Sequence, residues 1–152
     1  EVNCRWESDE LVYNDFVNVG IAVDAETGLL VTTVANANSQ SVSDIAEART
    51  ALVAKAREGK ISSEPRSLTI SNLGMHGIRE FAAIINPPEI AILAVGAITP
   101  VVQIHEPGSN LKLARMMTLT LSSDHRALSG VQAARFLNSV KKRLEEPESR
   151  MK

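Results

Sequence analysis

The segment 123–130 contains the residues best suited to chemistry. It reads Ser-Asp-His-Arg-Ala-Leu-Ser-Gly, and it places His125 after an apolar strand and before a predicted helix. Strand ends beside helix starts are common positions for reactive groups, and an imidazole there can act as a general base. An isolated histidine is more often an ordinary surface or hydrogen-bonded residue, so this segment alone leaves both interpretations open.

The other candidates for chemistry are one cysteine and two further histidines. Cys4 is the single cysteine, which excludes an internal disulfide and fits a reducing compartment. It could be a nucleophile, although a buried or incidental thiol is the more common case. His76 and His105 show no metal-ligand spacing with each other or with Cys4, so we predict no metal site.

Length and composition indicate one globular domain of 152 residues, with 44% hydrophobic and 22% charged residues. The net charge of -2 gives no basic footprint for nucleic acid or an anionic membrane surface. Apolar runs such as 90–95 are too short to span a bilayer. The first residues include neither Met nor a targeting pattern, so we expect further residues upstream.

Hydrophobic periodicity predicts strands in hairpin-like succession and two helices. Ser41 and Asp44 form a variant of the capping box that opens the first helix, and Gly59 ends it. The second helix begins near Ser129 or Gly130. The predicted strands cover 16–23, 29–34, 68–71, 90–95, 98–104 and 113–121, with turns at 24–28 and 106–110. This mixture favours a mixed α/β sandwich over a doubly wound parallel sheet.

Several segments resemble the dihydrolipoamide acyltransferases of 2-oxo acid dehydrogenase complexes. His125, Arg126 and Gly130 match the family motif His-Arg-x-x-Asp-Gly, and Asp124 matches the Asp that usually precedes it. Further similar stretches occur in family order at 28–31, 36–37, 41–59, 69–75, 84–89 and 92–96. The resemblance covers nearly the whole chain, so we interpret 1–152 as a single acyltransferase-like core domain.

The resemblance implies the fold of chloramphenicol acetyltransferase, in which three subunits surround a threefold axis and each active site lies between neighbours. Family enzymes move an acyl group between dihydrolipoamide and coenzyme A. By position, His125 would remove the thiol proton, because a thiolate attacks a thioester better than a thiol does. The Ser71 hydroxyl would donate to the oxyanion. Asp124, Arg126 and Gly130 would organise the site and the trimer, and Arg126 would pair at the interface.

Three departures from the family pattern affect this interpretation. Ser129 stands where the family has Asp, or sometimes Asn, and a serine is shorter and uncharged. Thr32 and Ala35 stand where the family commonly has Pro and a basic residue. The N-terminal helix, strand and second helix of the family domain are not among these residues, so we expect an N-terminally truncated, trimer-forming core.

Two main hypotheses follow from the resemblance. The first is an accessory core domain of a pyruvate dehydrogenase complex in the mitochondrial matrix, comparable to protein X, with lost or weak catalysis and no bound cofactor. It would form a homotrimer and join the catalytic acetyltransferase core. Dihydrolipoamide dehydrogenase would bind through an upstream domain.

The second hypothesis is an active dihydrolipoamide acetyltransferase that uses coenzyme A and lipoamide as substrates. Retention of His125 and Ser71 favours this hypothesis. A distant coenzyme A-dependent acyltransferase outside these complexes is a third alternative.

Overall fold

The computed structural model describes residues 2–62, 64–103 and 111–147. Two helices lie in these ranges, α1 (Val42–Arg57) and α2 (Gly130–Glu145). The strands are β1 (Cys4–Glu7), β2 (Glu10–Tyr13), β3 (Val19–Ala25), β4 (Gly28–Val34), β5 (Leu68–Asn72), β6 (Ala91–Val95), β7 (Thr99–Gln103), β8 (Lys112–Met116) and β9 (Leu119–Ser123).

A five-stranded sheet with the order β4-β3-β5-β6-β9 forms the centre of the fold. The three inner strands run parallel, whereas β4 and β9 pair antiparallel at the two edges. The hairpin of β3 and β4 turns at Gly28, whose φ of 114° is open to glycine at little cost. Helix α1 packs on β3 and β4 and connects this hairpin to the parallel strands. The predicted mixed α/β class is therefore confirmed.

Two further ribbons of two strands each lie outside this sheet, β1–β2 and β7–β8. The first ribbon was not predicted from the sequence. Its turn residues Ser8 and Asp9 have φ of 51° and 62°, which is the two-residue geometry that closes tight hairpins. Asn-Gly is the usual signal for that turn, and Ser-Asp is a weak one. The predicted turn at 106–110 lies outside the described residues.

Two strand predictions were wrong in detail. The predicted strand 113–121 is two strands, because β8 pairs with β7 whereas β9 pairs with β6. The chain passes from the ribbon to the sheet at Thr118, whose carbonyl accepts from the Gly96 amide at 3.0 Å. The predicted strand 16–23 begins at Val19, and its burial does not alternate, since Gly20 and Val23 are the buried positions.

Local capping chemistry sets the start of both helices. Ser41 caps α1 and exchanges hydrogen bonds with Asp44, as the sequence predicted. The hydrogen bonds from Ser41 hold the pKa of the Asp44 carboxyl below its ordinary value. Gly59 follows the helix with φ of 79°, which fits its predicted role as a stop. Within the described ranges, neither helix is long and apolar enough to cross a bilayer.

The fully buried core joins the first ribbon, β6 and the loop before α2. Its centre is Cys4, Ile90, Ala91 and Leu128, each 0% exposed. Burial raises the pKa of the Cys4 thiol, so the thiolate that a nucleophile needs is disfavoured. The interpretation of Cys4 as a buried residue is confirmed.

Alanine at Gly96 is expected to destabilise the protein by about 1–3 kcal/mol, the usual range for forced overpacking. A Cβ there would overlap the carbonyl oxygen of Arg79 and lie 2.7 Å from its carbonyl carbon, and main chain cannot move aside as a flexible side chain can. Gly130→Ala is the matched control, because nothing lies within 4 Å of a Cβ at that position. Urea unfolding of both variants checks this, and equal stabilities would contradict it.

Candidate active site

His125 lies in a tight loop between β9 and α2. The Asp124 amide donates to the Ile90 carbonyl at 2.8 Å, which extends the pairing of β9 with β6. The Asp124 carbonyl accepts from the amides of Ala127 and Leu128 at 3.0 and 2.9 Å. Leu128 then anchors the loop in the core. The His125 side chain is exposed and makes no hydrogen bond within the described part of the chain, so the loop presents a free imidazole to the outside.

The two neighbours of His125 form an ion pair with each other. The Arg126 Nη2 donates to Asp124 Oδ2 at 2.7 Å, and Nε donates to both carboxylate oxygens at 3.1 and 3.2 Å. The hydrogen bonds from Arg126 hold the pKa of Asp124 below its ordinary value and raise the pKa of Arg126. The stabilisation from this lowered pKa is therefore present above the ordinary aspartate pKa and is lost as the pH falls through the lowered one.

Ser129, the residue at the family's Asp position, is the N-cap of α2. Its hydroxyl accepts from the Gln132 amide at 3.3 Å and donates to Gln132 Oε1 at 2.9 Å, while its own amide also donates to Oε1 at 2.9 Å. This capping box uses the hydroxyl entirely within the first turn of the helix. Gly130 follows as the first helical residue. The serine therefore organises the helix start and leaves the imidazole of His125 without a partner there.

Replacing Ser129 with alanine is expected to lower the free energy of unfolding by about 1 kcal/mol, the typical value of a lost N-cap. Aspartate at the same position should retain the cap, since its carboxylate accepts the same amide hydrogen bond. Thermal unfolding followed by circular dichroism measures both variants. An alanine variant as stable as the wild type would show that the capping box contributes nothing, and an aspartate variant as unstable as alanine would show that aspartate does not retain the cap.

Ser71 lies on β5, at the wall of a groove of about 870 Å³ on one face of the sheet. Thr69 lines the same groove, because residues two apart on a strand share a face. Much of the remaining wall is apolar, with side chains such as Val31 and Ile92. A half-buried hydroxyl on this wall can donate to a substrate oxygen.

The strand register places Ser71 and His125 at opposite ends of the sheet. Ser71 pairs with Ala94, whereas Ser123 pairs with Ala91. Ser71 is thus level with Thr120, three positions before the end of β9 at Ser123, and His125 lies in the loop beyond that end. At about 3.3 Å per residue, Ser71 is about 10 Å from the level of Ser123 along the strands, and β5 and β9 are also two strand spacings apart. A single chain does not bring them to one substrate atom.

A buried ionic network beside Ser71 was missed by the sequence analysis. Glu89 Oε1 accepts from Arg66 Nε at 2.9 Å, and Oε2 accepts from the Thr69 hydroxyl at 2.6 Å. The Arg66 Nη1 also donates to the Thr33 hydroxyl at 3.3 Å. The Arg66 and Glu89 side chains are only 16% and 2% exposed. The partners are far apart in sequence, so no local pattern could reveal this network.

The remaining candidates stay apart from these groups. His76 is exposed at the end of a short 3-10 helix after β5, and His105 lies outside the described residues. No group of three or more His, Cys, Asp or Glu side chains among residues 2–62, 64–103 and 111–147 could hold a metal ion.

Comparison with known proteins identifies the family. The catalytic domain of the 2-oxoacid dehydrogenases acyltransferase family matches residues 1–152. The chain belongs to this family. Membership of the acyltransferase family accounts for the match between the Asp-His-Arg segment and the family motif, and it confirms the resemblance inferred from sequence.

Two curated relatives and one solved structure illustrate the similarity. The acetyltransferase component of the Rickettsia conorii pyruvate dehydrogenase complex is 38% identical over 148 residues, covering 95% of this chain and 35% of that protein. The mitochondrial pyruvate dehydrogenase protein X component of Mus musculus is 38% identical over 152 residues, covering 96% and 30%. A structure of Azotobacter vinelandii dihydrolipoamide acetyltransferase superposes with a TM-score of 0.87 at 32% identity, covering 97% and 62%. The chain thus spans about a third of the length of these curated relatives.

Proposed function

We propose that this chain is the core domain of an accessory component of a pyruvate dehydrogenase complex, with weak or absent acetyl transfer. The observation that carries the proposal is the hydrogen bonding of the Ser129 side chain. Its hydroxyl is bound within the helix cap, and His125 has no hydrogen-bond partner among the described residues. A catalytic imidazole needs a partner that sets its tautomer and orientation. The protein X relative and the Rickettsia conorii acetyltransferase are both 38% identical to this chain, so the proposal rests on Ser129 and not on the degree of similarity.

Self-association is part of the proposal. Ser71 and His125 lie too far apart in one chain to act together, so a complete site requires a second copy. Large apolar side chains are also exposed, including Ile84 at 91% and, on the β7–β8 ribbon, Val102 at 58% and Leu113 at 69%. Such surface usually marks a protein interface. A threefold arrangement follows from the family resemblance.

We expect the isolated domain to sediment as a trimer of about 50 kDa, three times the 16.4 kDa chain. Burial of the apolar side chains of the ribbon supplies the driving force. Analytical ultracentrifugation at micromolar concentration checks this. Val102→Glu, which places a charge on the exposed ribbon, should shift the distribution toward monomer. A monomeric wild type would contradict the prediction.

The partners belong to the proposal as well. The trimer would join the catalytic acetyltransferase core, and dihydrolipoamide dehydrogenase would bind through an upstream domain. A mitochondrial matrix location follows from the same accessory role. Electron microscopy of the domain alone and mixed with a catalytic core tests this association. Trimers seen on the core only in the mixture support the proposal, and closed cages formed by the domain alone oppose it.

A second candidate function is active dihydrolipoamide acetyltransfer. The Azotobacter structure was determined to investigate a serine, a histidine and an asparagine four residues after that histidine. Ser71, His125 and Ser129 occur here in the same order, and Ser129 is likewise four residues after His125. In this alternative, coenzyme A and lipoamide are substrates, His125 takes the thiol proton and Ser71 donates to the oxyanion. The two candidates differ in the rate of acetyl transfer.

A further inference from the structure

Trp6 connects the N-terminal ribbon to the loop that carries His125. The Arg126 guanidinium carbon lies 4.7 Å from the centroid of the Trp6 ring, which is within cation–π range. The Trp6 amide donates to the Pro88 carbonyl at 3.0 Å, so the tryptophan is itself fixed to the segment before β6. The ring therefore forms a rigid surface against which the loop rests.

The loop has restraints on both sides of His125, and the outer one depends on Trp6. On the inner side, Asp124 continues the pairing of β9 with β6, and Leu128 is 0% exposed in the core. On the outer side, the Arg126 side chain is 60% exposed. Without the ring, the Arg126 side chain would keep its ion pair with Asp124 and the attraction of Asp9, and exposed ionic interactions restrain side chains weakly.

The presence of tryptophan at position 6, where phenylalanine would also be apolar, indicates that the face of the indole ring matters. Among the described residues, the buried Trp6 Nε1 has no hydrogen-bond partner, and an unsatisfied buried donor is destabilising. Phenylalanine would avoid that cost. Tryptophan has the strongest cation–π face of the three aromatic side chains. Contact with Arg126 is the feature of this position that favours tryptophan.

We propose that Trp6 is a positioning residue for His125, which acts by holding Arg126 and thereby fixing the conformation of the loop 124–128. The inference rests on the assignment of His125 as the reactive group of the family site. It extends that assignment to the N-terminal ribbon. The main chain at His125 would then already be ordered when a neighbouring subunit approaches the imidazole.

Hydrogen exchange of the loop tests the proposal in the full chain. Trp6→Leu keeps an apolar side chain but removes the ring, and we expect amides 124–128 to exchange about two- to fivefold faster, as follows from the strength of an exposed cation–π contact. Arg126→Met should give at least as large an increase, because it also removes the ion pair with Asp124. Trp6→Phe retains a ring and should remain nearer to wild type. Exchange in α1 should not change.

A double-variant cycle separates this contact from simple packing. If Trp6 acts through Arg126, the combination of Trp6→Leu with Arg126→Met should be no faster than Arg126→Met alone. Arg135→Met is the matched control, because Arg135 is an exposed arginine on α2, and it should leave the loop unchanged. The chain contains one tryptophan, so acrylamide quenching of its fluorescence should increase in Arg126→Met.

The proposal is overturned if Trp6→Leu and Trp6→Phe give the same loop exchange, or if the two single effects add. If Trp6→Leu does not fold, Arg126→Met decides the question, since it changes an exposed side chain and leaves the core intact. Unchanged exchange and unchanged quenching in Arg126→Met would then overturn it. None of these measurements requires turnover, so an inactive protein would not obscure them.

Discussion

Replacing Glu89 with alanine is expected to lower the free energy of unfolding by about 3–5 kcal/mol, the usual effect of breaking one side of a buried ion pair. The Glu89 side chain is 2% exposed and accepts from Arg66 at 2.9 Å and from Thr69 at 2.6 Å. Its loss leaves the Arg66 guanidinium charged and only 16% exposed. That uncompensated charge, rather than the lost contacts alone, makes the effect large.

The controls separate charge from packing. Glu89→Gln keeps an acceptor for Thr69 but removes the charge, so an intermediate loss is expected. The double variant Glu89→Leu with Arg66→Met replaces both charges with apolar side chains and should recover most of the stability. Glu58→Ala breaks an exposed pair with Lys60, with side chains 62% and 72% exposed, and should change stability by less than about 0.5 kcal/mol.

Urea unfolding at one fixed protein concentration measures all four variants, because self-association makes apparent stability depend on concentration. A loss in Glu89→Ala no larger than that in Glu58→Ala would contradict the interpretation of a buried pair. A double variant as unstable as Glu89→Ala would show that Glu89 matters through packing instead of through its charge.

The helices were the most predictable part of this fold because their signals are local. Ser41 with Asp44, and Ser129 at the start of α2, lie within one helical turn of the groups that they cap. Tertiary contacts have little influence on where these two helices begin. The same reasoning failed for residues 113–121, where an apolar run crosses from one sheet to another. The boundary between β8 and β9 is defined only by their different pairing partners, and hydrophobic periodicity carries no information about those partners.

The sequence suggests residues for the candidate site but not how they are arranged. His125 and Ser71 were identified from motifs, and the register of three strands was then needed to show that one chain separates them. The Arg66–Glu89 pair joins residues 23 apart in sequence, and the contact of Trp6 with Arg126 joins the first ribbon to the loop before α2. Such long-range contacts depend on the complete topology, so no short window of sequence reports them.

Acetyl transfer by the wild-type protein is expected to be far below the rate of about 10 s⁻¹ that is typical of enzymes. The physical reason is the hydrogen bonding of Ser129, whose hydroxyl is held in the capping box and makes no contact with His125. Ser129→Asp keeps the helix cap and restores the carboxylate that the family usually has there. We expect this variant to transfer acetyl groups from acetyl-coenzyme A to dihydrolipoamide faster than the wild type does.

Further variants show whether any activity belongs to the proposed site. In a Ser129→Asp background, Ser71→Ala should reduce the rate by about 10²–10³, the usual effect of removing one oxyanion donor. His125→Ala in that background should abolish transfer, because no other described imidazole lies in this loop. A wild-type rate of about 10 s⁻¹ or more would reject the accessory proposal in favour of the active acetyltransferase. If Ser129→Asp folds normally but stays inactive, the missing carboxylate is not the defect, and the serine at this position serves the helix cap alone.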